Sequence, residues 1–226
     1  MADTLAFDVY GTLIDTNGVV RLLASMIGDT APAFSHQWRD KQLEYAFRRG
    51  LMRRYRNFAV CTRDALEYTN ASLKTALSER QKQQLLECYR TLPAYADAAP
   101  ALQALEADRF RLYAFSNGSA DTVEALLEAA GIGDRFLDIV SVDEIGAFKP
   151  DPAVYRHFLE RASAPADAAW LISGNPFDVI GAVSAGMRAA WVRRSDEAPF
   201  DPWEVEPTLV VNSLTDLQQA LRGYTG

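Results

Sequence analysis

Polar residues stand at the ends of several short apolar runs in this sequence, and the first of them is Asp8, within residues 5–10. An ionised carboxylate can act as a covalent nucleophile when its site orients the substrate and removes solvent. Taken alone, Asp8 fits an ordinary turn former about equally well, because aspartate often caps turns. The other polar candidates in such positions are Thr12, Ser116, Asn117, Lys149, Ser173, Asn175 and Asp178. Together they could supply a nucleophile, a cation and hydrogen-bond donors to one site.

Apolar runs alternate with helical sequence along most of the chain. We predict strands at residues 5–10, 110–115, 139–142, 169–172, 189–192 and 208–211. Between them, residues 121–130 are typical of a helix closed by Gly131, and Asp151 can cap a helix whose first residue is Pro152. This alternation predicts an α/β fold with a Rossmann-like parallel sheet and helices on both faces. Because ligands bind at the carboxyl ends of parallel strands, we expect the polar candidates to converge there.

Residues 16–96 differ from the rest of the chain, since they contain no clear strand and several helical segments. A helix is predicted over residues 35–49 with its end at Gly50, and Ser78 with Gln81 has capping-box spacing. We therefore expect an all-helical cap domain at 16–96, inserted into a core domain formed by residues 1–15 and 97–226. A helical lobe placed directly after the first strand would cover the site and exclude water from it.

Composition and charge limit the kinds of molecule that the protein is expected to bind. The formal net charge of −7 disfavours nucleic acid, and the arginine-rich stretch 48–56 lacks the interleaved stacking residues of a nucleic-acid surface. No apolar run is long enough to cross a membrane, and no basic region precedes an apolar stretch at the start, so we expect no membrane partner and no signal peptide. Cys61 and Cys88 lack zinc-site spacing and suit a reducing cytoplasm.

The candidate residues also form recognisable motifs. Asp-Val-Tyr-Gly-Thr-Leu starts at Asp8, Ser-Asn-Gly at Ser116, Lys-Pro-Asp at Lys149, and Ser-Gly-Asn at Ser173 with Asp178 nearby. In type and order these resemble the four motifs of the haloacid dehalogenase superfamily, and they span almost the whole chain. The resemblance implies the same α/β fold with an inserted cap.

Residues of the predicted cap resemble one subfamily, the L-2-haloacid dehalogenases. The similar positions are Trp38-Arg39, residues 41–45 and Asn57-Phe58, together with Tyr155 in the core. In that subfamily a carboxylate attacks C2 of a short 2-haloacid and forms an ester, which water then hydrolyses. The resemblance thus implies conversion of an L-2-haloacid to a D-2-hydroxy acid and halide, without metal or cofactor, in a homodimeric protein.

Roles for individual residues follow from this resemblance. It implies catalytic roles for Asp8, Thr12, Lys149, Tyr155, Ser173, Asn175 and Asp178. It implies contacts to the anionic substrate and the halide from Tyr10, Gly11, Arg39, Phe58, Ser116, Asn117 and Phe177. Lys149 would keep Asp8 ionised, and backbone N–H groups around Tyr10 and Gly11 would help Ser116 hold the substrate carboxylate. The weakly hydrated guanidinium of Arg39 would receive the halide.

Two other functions remain open at this point. Magnesium-dependent phosphatases of the superfamily carry a second Asp where this chain has Tyr10, and a tyrosine with a pKa near ~10 is a poor general acid. They also carry an Asp in the stretch that here reads Ser173-Gly174-Asn175, and a site with fewer carboxylates holds Mg²⁺ poorly. A non-catalytic relative that only binds anions is the alternative from a different class.

Each candidate also has a purely structural interpretation. Lys149 could be a surface loop residue, and Arg39 a solvated helix residue. Thr12 could have only a structural role, in holding the loop after the first strand. Phe58 and Tyr155 could be core residues, and Ser173 and Asn175 could cap the following helix. Two departures from the subfamily put the substrate range in doubt: Asp40 follows Arg39, where relatives often carry an uncharged residue, and Pro176-Phe177 replaces the more usual Ala-Trp.

Overall fold

A single parallel β-sheet forms the centre of the computed structural model, which describes residues 3–224. Its strands are β1 (Thr4–Asp8), β2 (Arg111–Ser116), β3 (Asp138–Ser141), β4 (Ala169–Ser173), β5 (Arg188–Val192) and β6 (Leu209–Val211). They lie in the order β3-β2-β1-β4-β5-β6, so β1 has a strand on each side. All six predicted strands are present. The expected outer ends of the core domain, residues 1 and 226, lie outside the described residues.

A helical segment follows β1 directly. It contains α1 (Val20–Ile27), α2 (Ala31–Leu51), α3 (Phe58–Leu73) and α4 (Glu79–Cys88). The prediction for α2 was wrong at both ends: the helix begins at Ala31 because buried Phe34 extends its apolar face, and it continues through Gly50. The left-handed residue beyond α2 is Arg53, with φ of 52°, so Gly50 is not the signal that ends this helix.

Five further helices cover the two faces of the sheet. They are α5 (Ala98–Ala107), α6 (Ala120–Ala129), α7 (Pro152–Ala162), α8 (Pro176–Ser184) and α9 (Leu214–Tyr224). Alternation along β1 divides the core, because Leu5 and Phe7 pack with α5, α6 and α9, whereas Ala6 packs with α7 and α8. The fold is therefore the predicted α/β sheet with helices on both faces.

The predicted helix caps are present. The Asp151 carboxylate accepts a hydrogen bond from the N–H of Ala153 at 2.8 Å, with Pro152 as the first helical residue. Ser78 and Gln81 form the predicted capping box at the start of α4. Gly131 has φ of +71° just after α6, a conformation that favours glycine. These local signals needed no tertiary information.

The chain enters and leaves the helical segment through two adjacent stretches. The N–H of Asp15 donates to the carbonyl of Pro93, and the N–H of Tyr95 donates to the carbonyl of Leu13, both at 2.9 Å. The two connections therefore run side by side next to the loop that follows β1. None of the helices within residues 3–224 combines the length and apolar character needed to span a membrane.

Candidate active site

Asp8 is the last residue of β1 and is almost buried, with 7% of its surface exposed. Its two carboxylate oxygens have different surroundings. Oδ2 accepts hydrogen bonds from Thr12 Oγ1 at 2.7 Å, Ser173 Oγ at 3.2 Å and Asn175 Nδ2 at 2.7 Å. Oδ1 accepts one, from Lys149 Nζ at 3.2 Å. The lone pairs of Oδ1 are thus the less engaged, and this oxygen is the freer one to act as a nucleophile.

Lys149 lies between two carboxylates with 1% of its surface exposed. Its ammonium donates to Asp8 Oδ1, to Asp178 Oδ2 at 2.8 Å and to the carbonyl of Phe115 at 2.9 Å. All three N–H donors of the ammonium are therefore used. The interpretation of Lys149 as a surface lysine is wrong, because a buried charge needs partners of this kind.

Asp178 is fully buried in the first turn of α8. Burial raises its pKa to about 6, opposed by the neighbouring Lys149 charge and assisted by the charge of Asp8. Tyr155 from α7 donates its hydroxyl to Asp178 Oδ1 at 2.8 Å. Burial, followed by the Asp178 charge, raises the pKa of Tyr155 well above its ordinary value, so this phenol stays a donor. Tyr155 is a buried residue, and its hydroxyl orients the carboxylate that holds Lys149.

Two glycines allow these elements to approach closely, and neither was among the predicted site residues. A Cβ on Gly174 would lie 2.4 Å from the carbonyl oxygen of Gly11. A Cβ on Gly181 would lie 2.3 Å from the Tyr155 hydroxyl and 2.7 Å from Pro150. Side-chain patterns do not reveal such positions, because the signal is the absence of a side chain where two segments meet.

A small cavity lies between α2 and α3 on one side and the carboxyl ends of the strands on the other. Its volume is ≈ 10 Å³, about enough for a single water molecule. Its walls are Asp8, Tyr10, Arg39, Leu43, Phe58, Ser116, Asn117, Lys149, Asn175 and Phe177. Nine of these ten were predicted site residues, and Leu43 is the one not assigned a role. Its helical spacing from Arg39, one turn along α2, was the available signal.

The remaining predicted residues lie behind this wall. Thr12, Ser173 and Asp178 contact Asp8 or Lys149 from the far side, and Tyr155 contacts Asp178. Ser173 and Asn175 precede α8, but the side chain of Asn175 makes no capping bond. Gly11 differs from the expectation, because its N–H donates to the carbonyl of Ile14 at 2.9 Å and is not available to a substrate carboxylate.

Ser116 and Asn117 carry donor groups at the end of β2. Ser116 Oγ accepts the N–H of Gly118 at 3.1 Å, which leaves the hydroxyl proton to donate elsewhere. The side-chain oxygen of Asn117 accepts the N–H of Lys149 at 3.0 Å. That bond fixes the orientation of the Asn117 amide, whose NH₂ group remains a donor. Both side chains lie on the cavity wall and suit an anion.

Arg39 extends from α2 to the cavity and is half-buried. Its guanidinium donates to Gln42 Oε1 at 3.3 Å and to the carbonyl of Tyr10 at 3.4 Å. The neighbouring Asp40 points away, because its carboxylate is 61% exposed and pairs with His36 one turn earlier. The sequence change at Asp40 therefore does not place a negative charge beside the guanidinium. Phe177 packs edge-to-face on Phe47, with ring centroids 5.1 Å apart.

Asn175 and Tyr10 are the residues that bear on whether the site could hold a cation. Asn175 Nδ2 donates to both Asp8 Oδ2 and the carbonyl of Tyr10, the latter at 3.0 Å. Burial raises the pKa of Tyr10 to about 12, so its phenol is a weaker acid than an ordinary tyrosine. Across residues 3–224, no cluster of three or more His, Cys, Asp or Glu side chains is arranged to hold a metal ion.

Three features of this site are typical of one class of hydrolase. They are an aspartate at the end of a central strand, a buried lysine against it, and helices inserted directly after that strand. A family model described as haloacid dehalogenase-like hydrolase matches residues 2–186. The chain belongs to the haloacid dehalogenase-like hydrolases. The resemblance drawn from the four motifs is confirmed.

Relatives narrow the comparison to enzymes that act on haloacids. The chain is 35% identical to the (S)-2-haloacid dehalogenase of Pseudomonas putida, with 96% of this chain and 95% of the relative aligned. It is also 35% identical to haloacetate dehalogenase H-2 of Moraxella sp. (strain B), over 92% and 93% of the two chains. The solved structure of L-2-haloacid dehalogenase from Xanthobacter autotrophicus with chloropropionic acid covalently bound is similar at a TM-score of 0.91 and 31% identity, covering 99% of each chain.

Proposed function

We propose that this protein is a hydrolase that removes halide from short 2-haloalkanoic acids through an ester on Asp8, without a metal ion. The observation that carries the proposal is the unequal bonding of the Asp8 carboxylate, in which three donors hold Oδ2 and only Lys149 holds Oδ1. The haloacid-specific names of the relatives support the substrate class.

In the first step, Asp8 Oδ1 attacks C2 from behind the carbon–halogen bond. A C–O ester bond forms, the C–halogen bond breaks and the bonding pair leaves with the halide. Inversion at C2 makes the ester of a D-2-hydroxy acid from an L-2-haloacid. The Lys149 ammonium donates to Oδ1, and the three donors on Oδ2 fix the plane of the carboxylate. No proton has to be given to the leaving group.

Two sets of donors receive the anionic groups of the substrate. The Ser116 hydroxyl is directed to the substrate carboxylate, because its own oxygen already accepts a backbone N–H. The Arg39 guanidinium and the Asn117 amide receive the halide, and their stabilisation grows as charge moves onto the halogen. Leu43, Phe58 and Phe177 enclose the alkyl group. A cavity of ≈ 10 Å³ is smaller than any haloacid, so the helical segment has to move outward for substrate to enter.

In the second step, water attacks the side-chain carbonyl carbon of the Asp8 ester, and the hydroxy acid leaves. Oδ2 becomes the oxyanion, and Thr12, Ser173 and Asn175 already donate to it. One proton of the water is released to solvent. The other passes to the Lys149–Asp178 pair, with Lys149 as the relay, and returns to the hydroxy-acid oxygen as the ester C–O bond breaks. Asp178 accepts this proton more readily than an ordinary carboxylate because its pKa is raised. The Asp8 carboxylate is then restored.

The phosphatase alternative has less support. An amide N–H₂ lies between Asp8 Oδ2 and the Tyr10 carbonyl, so two oxygens that could serve a cation already have a donor between them. The Tyr10 phenol, with its raised pKa, is a poor acid for a phosphate ester leaving group.

Residues 16–96 are proposed as the cap domain and residues 1–15 with 97–226 as the core domain. The paired connections at Leu13–Asp15 and Pro93–Tyr95 support these boundaries. A cytoplasmic homodimer is proposed on the resemblance, and the free thiols Cys61 and Cys88 agree with a reducing compartment.

The test is halide release from L-2-chloropropionate in EDTA, with Asp8→Asn as the control. We expect release by the native chain, and loss of at least about 10⁴-fold in the variant because the amide is not a nucleophile. After one turnover in ¹⁸O water, the label should enter Asp8 rather than the product hydroxyl.

No release from L-2-chloropropionate or chloroacetate would overturn the proposal. Turnover of a phosphate ester that depends on added Mg²⁺ would then favour the phosphatase. Anion binding without turnover of either substrate would favour the non-catalytic relative.

A further inference from the structure

A partly buried arginine outside the cavity touches both loops that hold Asp8. Arg194 follows β5, and its Nη2 donates to the carbonyl of Thr12, whose hydroxyl binds Asp8 Oδ2. The stem of Arg194 packs against Gly174, with its Cγ 3.3 Å from where a Cβ would stand. Gly174 lies between Ser173 and Asn175, the other two donors to Oδ2. One side chain therefore supports all three donors on that oxygen.

The same arginine is attached to the connection between the helical segment and the core. Its guanidinium lies 4.0 Å from the centre of the Tyr95 ring, and Nη1 donates to Asp97 Oδ2 at 2.7 Å. Asp97 Oδ2 also accepts the hydroxyl of Ser213 and the N–H of Leu214 at the start of α9. Arg194 thus joins the exit connection, the C-terminal helix and the Asp8 loop.

The Arg194–Asp97 pair is a poor source of stability. Their side chains are 15% and 17% exposed, and Arg194 Nε and Asp97 Oδ1 have no hydrogen-bond partner among residues 3–224. Buried ion pairs with unsatisfied atoms cost desolvation free energy that their attraction only partly returns. The geometry of Arg194 instead suits the positioning of neighbouring groups, because a guanidinium can bind a carbonyl and a carboxylate at once.

We propose that Arg194, oriented by Asp97, is a positioning residue that sets the geometry of the donors on Asp8 Oδ2 and links these donors to the exit connection of the helical segment at residues 93–97. The proposal rests on the proposed dehalogenation through Asp8. Arg194 acts through Thr12 and Gly174, and it touches neither substrate nor halide. Its effect therefore falls on kcat and leaves KM for the haloacid almost unchanged.

The test compares Arg194→Gln with Arg193→Gln, a change of the same type at the adjacent position. Arg193 points outward and binds Asn212. With L-2-chloropropionate at a temperature well below either Tm, we expect Arg194→Gln to lower kcat at least about tenfold, since small misplacements in a site are costly. KM should change less than about threefold, and Arg193→Gln should behave as the native chain.

Two further variants keep the test informative if Arg194→Gln folds poorly. Arg194→Lys should recover part of kcat, because one ammonium can reach one of the two acceptors. Asp97→Asn should lower kcat less than Arg194→Gln, and the double variant should be no worse than Arg194→Gln alone.

Native kcat in folded Arg194→Gln, or additive losses in the double variant, would overturn the inference. A lowered Tm with unchanged kcat would reduce Arg194 to a structural role. If the native chain itself releases no halide, the proposed function fails instead, so the two failures are distinguishable.

Discussion

The two oxygens of the Asp8 carboxylate differ in their hydrogen bonding, and the proposed chemistry depends on this difference. Oδ2 is held by three donors, from the loop after β1 and from the end of β4 with the residues that follow it, and Oδ1 by one ammonium that is itself shared with Asp178. In the proposed mechanism, one oxygen is therefore oriented to receive charge in the hydrolysis step while the other keeps lone pairs for attack. Both properties depend on donors that are neutral at Oδ2 and cationic at Oδ1.

Replacing Asn175 by Asp should convert the space between Asp8 Oδ2 and the Tyr10 carbonyl into a cation site. Three oxygens would then face one another without an N–H between them, and they repel unless a cation intervenes. We expect Asn175→Asp to lose halide release by about 10²-fold or more in EDTA. Its Tm should rise with millimolar Mg²⁺, whereas the native Tm should not. An unchanged Tm on adding Mg²⁺ would contradict this account.

Activity should depend on the ionisation of Asp178. Its pKa is raised by burial to about 6, so Asp178 becomes protonated at a higher pH than an ordinary carboxylate. Activity that needs the ionised form is full above that value and is lost as the pH falls through it. We expect kcat for L-2-chloropropionate to fall up to about tenfold per pH unit below about 6. Tm recorded at each pH is the control, and a flat profile across this range in folded protein contradicts the role.

At the scale of elements, the site depends on two close approaches as much as on its polar residues. Gly174 brings the loop before α8 against the loop after β1, and Gly181 lets α8 approach α7 at Tyr155. Because Asp178 lies on α8 and Tyr155 on α7, the separation of these helices sets the hydrogen bond that orients the Asp178 carboxylate. Helix packing therefore controls how Lys149 is held.

Gly181→Ala should disturb this packing and lower both stability and kcat. The new methyl would lie 2.3 Å from the Tyr155 hydroxyl, and we expect a loss of about 1–3 kcal/mol in the free energy of unfolding. Gly50→Ala is the matched control, since Gly50 is also helical and a Cβ there meets nothing within 4 Å. That change should stabilise by about 0.5–1 kcal/mol. Denaturant unfolding of both variants is the measurement, and equal effects would contradict the packing argument.

At the scale of the whole molecule, charge is unevenly distributed. The chain carries a net charge of −7, yet Arg53, Arg54 and Arg56 are exposed, and none of them forms an ion pair within the described part of the chain. They lie in the connection that leads to Phe58 on the cavity wall. An anionic substrate repelled by the protein as a whole would be attracted to this local positive surface.

Neutralising these three arginines to Gln should slow capture of the substrate and leave the chemistry intact. We expect kcat/KM for L-2-chloropropionate to fall about two- to fivefold at low ionic strength, with kcat unchanged. The difference should disappear at about 0.5 M sodium sulfate, where screening is nearly complete. Arg109→Gln, at the amino end of the sheet, is the control for losing a positive charge elsewhere. A difference that persists in high salt would contradict steering.

Local patterns in the sequence were sufficient for much of the structure. Short apolar runs predicted the strands, because residues buried on both faces of a parallel sheet must be apolar. Asp151, Ser78 and Gly131 predicted helix ends through bonds and dihedral angles within a few residues. The order of the four motifs, with strand ends meeting at one edge, predicted most of the cavity wall.

Only the tertiary structure decided which atoms of those residues are engaged. Lys149 and Asp8 are 141 positions apart, and the choice of Oδ1 for this contact depends on where β1 and the loop before α7 place them. The outward direction of Asp40 follows from the rotation of α2, and the need for Gly181 from the distance between two helices. Arg194 had no sequence signal, because its neighbours Thr12, Gly174 and the Tyr95–Asp97 stretch come from three separate segments. Sequence patterns report short-range preferences, whereas these contacts depend on packing between residues that are distant along the chain.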